Sequence, residues 1–230
     1  MEIIQLPPEC FWSSFAPPTI KYCEENICSI ITQPSNTWSN LAYIFIGFYL
    51  IWKNKNDSIS SLKLVGPMAI ATGIASFLYH ASFTFFFQFF DLSSMYLFST
   101  MILSMNLKRA KIIKKEYQHG TQFIILAASM LLLYIFKPFG IPIFALQVLA
   151  GLILEFYIFR KMKEEITYSY YKLSLLFLVL AFVAWTVDFR RIICDPMNHI
   201  LQGHAVWHIL SSSCFLFLYK FYSQEKLEKT

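Results

Sequence analysis

The stretch Phe139-Gly140-Ile141-Pro142-Ile143-Phe144-Ala145-Leu146-Gln147-Val148-Leu149-Ala150-Gly151-Leu152-Ile153-Leu154-Glu155-Phe156-Tyr157-Ile158-Phe159 decides the fold class. Its one charged residue, Glu155, lies near the end, where a long side chain can snorkel toward the membrane surface. An α-helix needs about 20 largely apolar residues to cross the hydrocarbon core of a bilayer. The run is continuously apolar rather than alternating, so it reads as a spanning helix and not as a strand of a β-barrel.

Six more runs of this kind lie on either side. With the first they give seven predicted spans: Trp38–Trp52, Leu64–His80, Phe85–Leu107, Thr121–Phe136, Phe139–Phe159, Tyr171–Val187 and Gly203–Phe221. Composition agrees. Of the 230 residues, 57% are hydrophobic and 14% charged, against roughly 25% charged in a soluble domain. That much apolar surface cannot be hidden inside one soluble domain of this size. The same excess excludes intrinsic disorder, and five Cys are too few for a secreted disulfide scaffold. Pro7, Pro8, Pro17 and Pro18 break up the N-terminus, which has no basic start and does not read as a signal peptide.

Basic residues orient the spans. Lys21, Lys137, Arg190 and Arg191 fall on the side of the N-terminal segment and the even-numbered loops. The other 15 of the 19 Lys and Arg fall on the opposite side, including Lys108, Arg109, Lys111, Lys114 and Lys115. The positive-inside rule makes that second side cytoplasmic. The expected architecture is therefore an all-α integral membrane protein, a seven-transmembrane helix bundle with its N-terminus outside and its C-terminus cytoplasmic. Residues 1–34 form an external segment, 35–222 the bundle and 223–230 a cytoplasmic tail. The basic 108–115 stretch answers anionic inner-leaflet lipids rather than nucleic acid. Trp12, Trp38, Trp52, Trp185 and Trp207 read as interfacial anchors.

Ionisable groups inside a bilayer are expensive and mark function by default. His119 and His199 fall in loops and read as solvated. His80 ends the second span, and His204 and His208 begin the seventh, so all three lie near the outer leaflet with Asp91 at similar depth. His204 and His208 are four apart and share a helix face. Two imidazoles so spaced can bind one metal ion, and His80 supplies a third ligand. Three His leave a fourth tetrahedral position open for water, as in catalytic zinc sites. The residues between the pair are Ala205, Val206 and Trp207, so a base must come from elsewhere. Asp91 is placed to accept the water's proton, or alternatively to hold one His ring. Ser76, one turn before His80, can bond the water or a polarised carbonyl; taken alone it would serve only helix packing.

These residues resemble a known family. Cys23-Glu24-Glu25-Asn26 followed by Asn36-Thr37-Trp38-Ser39-Asn40 looks like the N-terminal signature of alkaline ceramidases. Ser76-Phe77-Leu78-Tyr79-His80, with Asp91 eleven residues later, resembles their second motif, and Gly203-His204-Ala205-Val206-Trp207-His208 their last. The wording around Gln33-Pro34 is similar to bacterial members. The wider superfamily includes the progestin and adipoQ receptors, with seven spans and a zinc site. The resemblance implies zinc held by His80, His204 and His208, catalysis by Ser76 and Asp91, and hydrolysis of the ceramide amide to sphingosine and a fatty acid. The substrate partner would be a membrane lipid. The resemblance also implies a disulfide between Cys23 and Cys194. Some members bind calcium in the N-terminal segment. Glu24 and Asn26 match that site, but Lys21 and Gln33 stand where acids are expected, and calcium prefers carboxylates. Two other readings remain: hydrolysis of another N-acyl lipid, and a seven-span receptor-like protein with structural zinc. Cys214, inside the seventh span, reads as a small core residue.

Overall fold

The computed structural model describes residues 5–55, 60–161 and 166–226. Among them there is no strand. The elements are α1 (Pro34–Trp38), α2 (Leu41–Asn54), α3 (Ser60–Ser82), α4 (Phe85–Arg109), α5 (Gln118–Ile135), α6 (Gly140–Lys161), α7 (Ser169–Phe189) and α8 (Gly203–Tyr222), with short 3-10 turns before α5 and α6 and after α8. Each predicted span has a helix at its place. Five of these helices, α3 to α7, are long and apolar enough to cross a membrane. The other two fall short for different reasons.

The first predicted span is broken. Pro34 opens α1, and the helix is interrupted at Ser39-Asn40 before α2 runs for 14 residues. Polar residues hold the break, with the Asn40 amide donating to the carbonyl of Asn36 at 2.8 Å. The seventh, α8, is diluted by His204, His208 and three consecutive serines, Ser211 to Ser213. Much of it is covered by protein, since His204, Trp207, His208, Phe215 and Phe221 are all buried, although Ile209 is exposed. Trp207 is therefore not an interfacial anchor as expected; it packs edge-on against Phe182 at 4.9 Å. By contrast α5, α6 and α7 leave Phe123, Leu131, Phe156 and Val183 outward and exposed.

The chain forms two compact units, residues 1–91 with 167–230, and residues 92–166. In the first, α2 packs on α3, α7 on α8, and α8 also on α2 and α3. Glycines permit the closest approaches. A Cβ on Gly66 would lie 2.8 Å from the carbonyl oxygen of Gly47, so α2 and α3 meet backbone to backbone. A Cβ on Gly203 would lie 2.9 Å from the Cβ of Asp188, so the start of α8 is pressed against the end of α7. The second contact fixes the helix end that carries His204.

The second unit contains most of α4 with α5 and α6. Here Glu155 does not snorkel. It is buried and its carboxylate accepts from the Arg109 guanidinium at 2.6 Å. Arg109 also donates to the Asn106 side chain at 3.2 Å. A second polar seam joins Ser99 to Gln147, and Gln147 donates to Ser129 at 2.7 Å. Such side-chain bonds between apolar helices replace the water that lipid cannot supply.

Two disulfides close the N-terminal segment. Cys23 pairs with Cys194, as the family resemblance implied. Cys10 pairs with Cys28, a bridge that the sequence left open. Cys214 is buried and reduced, with its thiol toward the carbonyl of Ser174.

Candidate functional site

The last turn of α3 brings His80 against the first two turns of α8, where His204 and His208 project from one face. All three side chains are buried. The Nε2 atoms of His80 and His204 are 3.1 Å apart. One nitrogen from each of the three rings lies within 4.8 Å of the others. Ser76, one helical turn before His80, places its Oγ 3.5 Å from Nε2 of His208. Its hydroxyl also hydrogen-bonds the carboxylate of Asp91, which is half-buried in the second turn of α4. The five residues nominated from the sequence thus meet at one place.

The outward nitrogens of the rings were not legible in the sequence. His80 Nδ1 lies 2.8 Å from Oε1 of Gln33. An amide oxygen only accepts, so Nδ1 carries the proton and Nε2 turns a lone pair inward. The Gln33 amide is held in that sense by donating to Oδ1 of Asn26 at 2.8 Å. His208 Nδ1 lies 2.8 Å from the Ser39 hydroxyl. His204 is gripped differently. Tyr22 stacks on it with ring centroids 3.5 Å apart, and burial pushes the Tyr22 hydroxyl well above its ordinary pKa. Among the described residues, Nδ1 of His204 has no hydrogen-bond partner.

Asp188 was also missed. One of its carboxylate oxygens accepts from the backbone N–H of His204 at 2.9 Å, and the other from that of Cys23 at 2.9 Å. A carboxylate at the start of α8 satisfies N–H groups that the helix itself cannot and complements its dipole. The same residue ties the N-terminal segment to the site. An Asp at the end of an apolar span was the only signal available in the sequence.

Glu24 and Asn26, nominated for calcium, serve as acceptors for protein donors. Glu24 receives the backbone N–H groups of Ser35 and Asn36 at 2.8 and 2.9 Å, at the start of α1. It also meets Nδ1 of His199 at 3.1 Å, so His199 is not the solvated loop residue expected. His119 is exposed, though it stands within α5 rather than in a loop. Lys21 pairs with Glu25 at 3.1 Å.

Burying three imidazoles with facing nitrogens is costly unless something accepts their lone pairs. A cation does so. The outward donor on His80 and the lone pair it leaves inside are the usual arrangement around a metal-bound His. The three histidines can hold a metal ion.

Comparison with known proteins agrees with this geometry. The Ceramidase family pattern matches residues 16–229. Alkaline ceramidase YPC1 of Saccharomyces cerevisiae is 22% identical over 226 residues, covering 84% of this chain and 72% of that protein. On the strength of a match that spans all the site residues and nearly the whole sequence, the chain belongs to the ceramidase family.

Proposed function

We propose that the protein is a zinc-dependent lipid amidase of the membrane that cleaves ceramide to sphingosine and a free fatty acid. The observation that carries this reading is the convergence of His80, His204 and His208 beside a Ser76–Asp91 hydrogen bond, in a member of the ceramidase family. Three neutral imidazoles suit zinc, with a fourth position for substrate or water. When bound there, zinc would act as a Lewis acid on the amide carbonyl and make water a nucleophile near neutral pH.

The protein's own residues supply the rest. Asp91 accepts the proton of the attacking water and delivers it to the leaving amine nitrogen. The Ser76 hydroxyl, released from Asp91, donates to the oxygen on which charge develops. Gln33 and Ser39 hold two of the rings in the tautomer that turns Nε2 inward. Tyr22 and the Cys23–Cys194 bridge close the N-terminal segment over the third ring, His204.

The helices are assigned as seven spans, with α2 the first and α3 to α8 the other six, the N-terminus outside, the C-terminus cytoplasmic and the site near the outer leaflet. Of the 19 basic residues only Lys21, Lys137, Arg190 and Arg191 then face outward. The division into an external segment 1–34, a bundle 35–222 and a tail 223–230 follows from the same assignment.

The test is fatty-acid release from a panel of ceramides and other N-acyl lipids, with and without a zinc chelator. Turnover of ceramide that chelation abolishes and zinc restores supports the proposal. Preference for a different N-acyl lipid would move the substrate but keep the chemistry. Release of no fatty acid from any substrate by zinc-loaded protein would overturn it.

A further inference from the structure

The segment between α7 and α8, residues 190–202, is a loop whose apolar side chains point away from the protein. Ile193 is 77% exposed and Ile200 90%, and Ile192, Met197 and Leu201 are exposed as well. A loop that merely lacked order would not hold this pattern, but the backbone here is tied down throughout. Cys194 is bridged to Cys23, the carbonyl of Pro196 accepts from the N–H of Glu25 at 2.9 Å, and that of Ile200 from the Ser35 hydroxyl at 3.0 Å.

Several of the loop's polar backbone groups are also satisfied by the protein. The N–H groups of Ile200 and Leu201 donate to Oδ1 of Asn198 at 3.0 and 2.9 Å. That of Ile192 donates to the carbonyl of Val187 at 2.9 Å, and the Gln202 amide to the carbonyl of Asp195 at 2.8 Å. Apolar side chains outward and backbone groups satisfied inward are what a segment needs where water is scarce.

Two further observations name what covers it. The loop follows directly on α7, an apolar helix long enough to span a membrane and ending at Phe189. It opens with Arg190 and Arg191, while its one acid is Asp195. Arg191 is within electrostatic reach of Asp188; Arg190 is exposed. An apolar surface rimmed by an arginine fits a phospholipid leaflet, with the chains below and the phosphates at the rim.

We propose that loop 190–202 is an interfacial membrane anchor: Ile193, Ile200 and their apolar neighbours enter the leaflet on the site's side, and Arg190 takes a lipid phosphate. The inference rests on the membrane reading above. It gives the bridge to Cys23 a second consequence, because Cys23 adjoins the Tyr22 that stacks on His204. The segment around the histidines is thereby fastened to a loop seated in lipid.

The test uses the full chain reconstituted in phospholipid vesicles, carrying Ile193→Trp or, separately, Ile200→Trp. Neither residue belongs to the catalytic site. The fluorescence gained over the unsubstituted protein is read with phospholipids brominated near the top of the acyl chains, and with aqueous iodide. Blue-shifted emission quenched by the brominated lipid and spared by iodide is expected. In the same background Arg190→Glu should lower the fraction quenched by lipid. Emission quenched by iodide alone overturns the proposal, and so does emission shielded from both quenchers, which would mean a protein partner. Fatty-acid release measured on the same vesicles separates the two readings. A lipid-quenched probe on an inactive protein counts against the amidase alone, and an iodide-quenched probe on an active one against the anchor alone.

Discussion

Two buried polar assemblies, one in each unit, show how differently a membrane protein can use expensive groups. In residues 92–166, Arg109 and Glu155 form an ion pair at 2.6 Å and Asn106 bonds both Arg109 and the carbonyl of Gly151. Charge is balanced there, and each group finds its partner in the protein. In the other unit His80, His204 and His208 turn nitrogens toward one another, and Nδ1 of His204 is left without a hydrogen bond among the described residues. The nitrogens that face one another there could hold a cation. Burial alone does not separate a structural network from a reactive one; whether the groups satisfy each other does.

Changes at the two assemblies should therefore have opposite signatures. The largest effect short of losing a ligand is expected at Asp91. Asp91→Asn keeps the shape and removes the base, and kcat for amide hydrolysis should fall about 10³-fold with metal content unchanged. Equal loss of metal and activity would instead make Asp91 a ring-holding carboxylate. Next comes Gln33→Leu, which removes the acceptor for His80 Nδ1. Metal affinity should drop about 10- to 100-fold, measured by competition with a chelator, and activity should return at high zinc. The smallest effect on catalysis is expected at Glu155→Gln. It leaves Arg109 buried without its counter-charge and should cost about 3–5 kcal/mol in stability, read as a lower unfolding temperature. Activity per folded molecule should stay the same. If Glu155→Gln abolished activity in folded protein, the contrast between the assemblies would be lost.

Much of the site was legible in the sequence because its chemistry is local. His204 and His208 lie four apart on one helix, and Ser76 lies four before His80, so shared faces follow from helical periodicity. Depth in the membrane then gathers His80 and Asp91 to them. The supporting residues were not legible, because their contacts cross long stretches of chain. Gln33 reaches His80, Ser39 reaches His208, and Asp188 reaches both Cys23 and His204 only once the N-terminal segment is folded back. Hydropathy located each of the long helices. It could not see that the chain would break at Ser39-Asn40 in the first one, where Asn40 is buried by protein. Glu155 misled for a related reason. Its place near a span end suggests snorkelling, and only packing of α4 against α6 brings Arg109 to it.

His204 is the most direct place to test whether three histidines hold a catalytic zinc. Zinc content and ceramide hydrolysis should be measured together on the purified protein and on His204→Ala. About one zinc per chain in the parent, with both zinc and hydrolysis lost in the variant, is the predicted result. A His204→Ala protein that keeps full hydrolysis with unchanged zinc content would contradict the account.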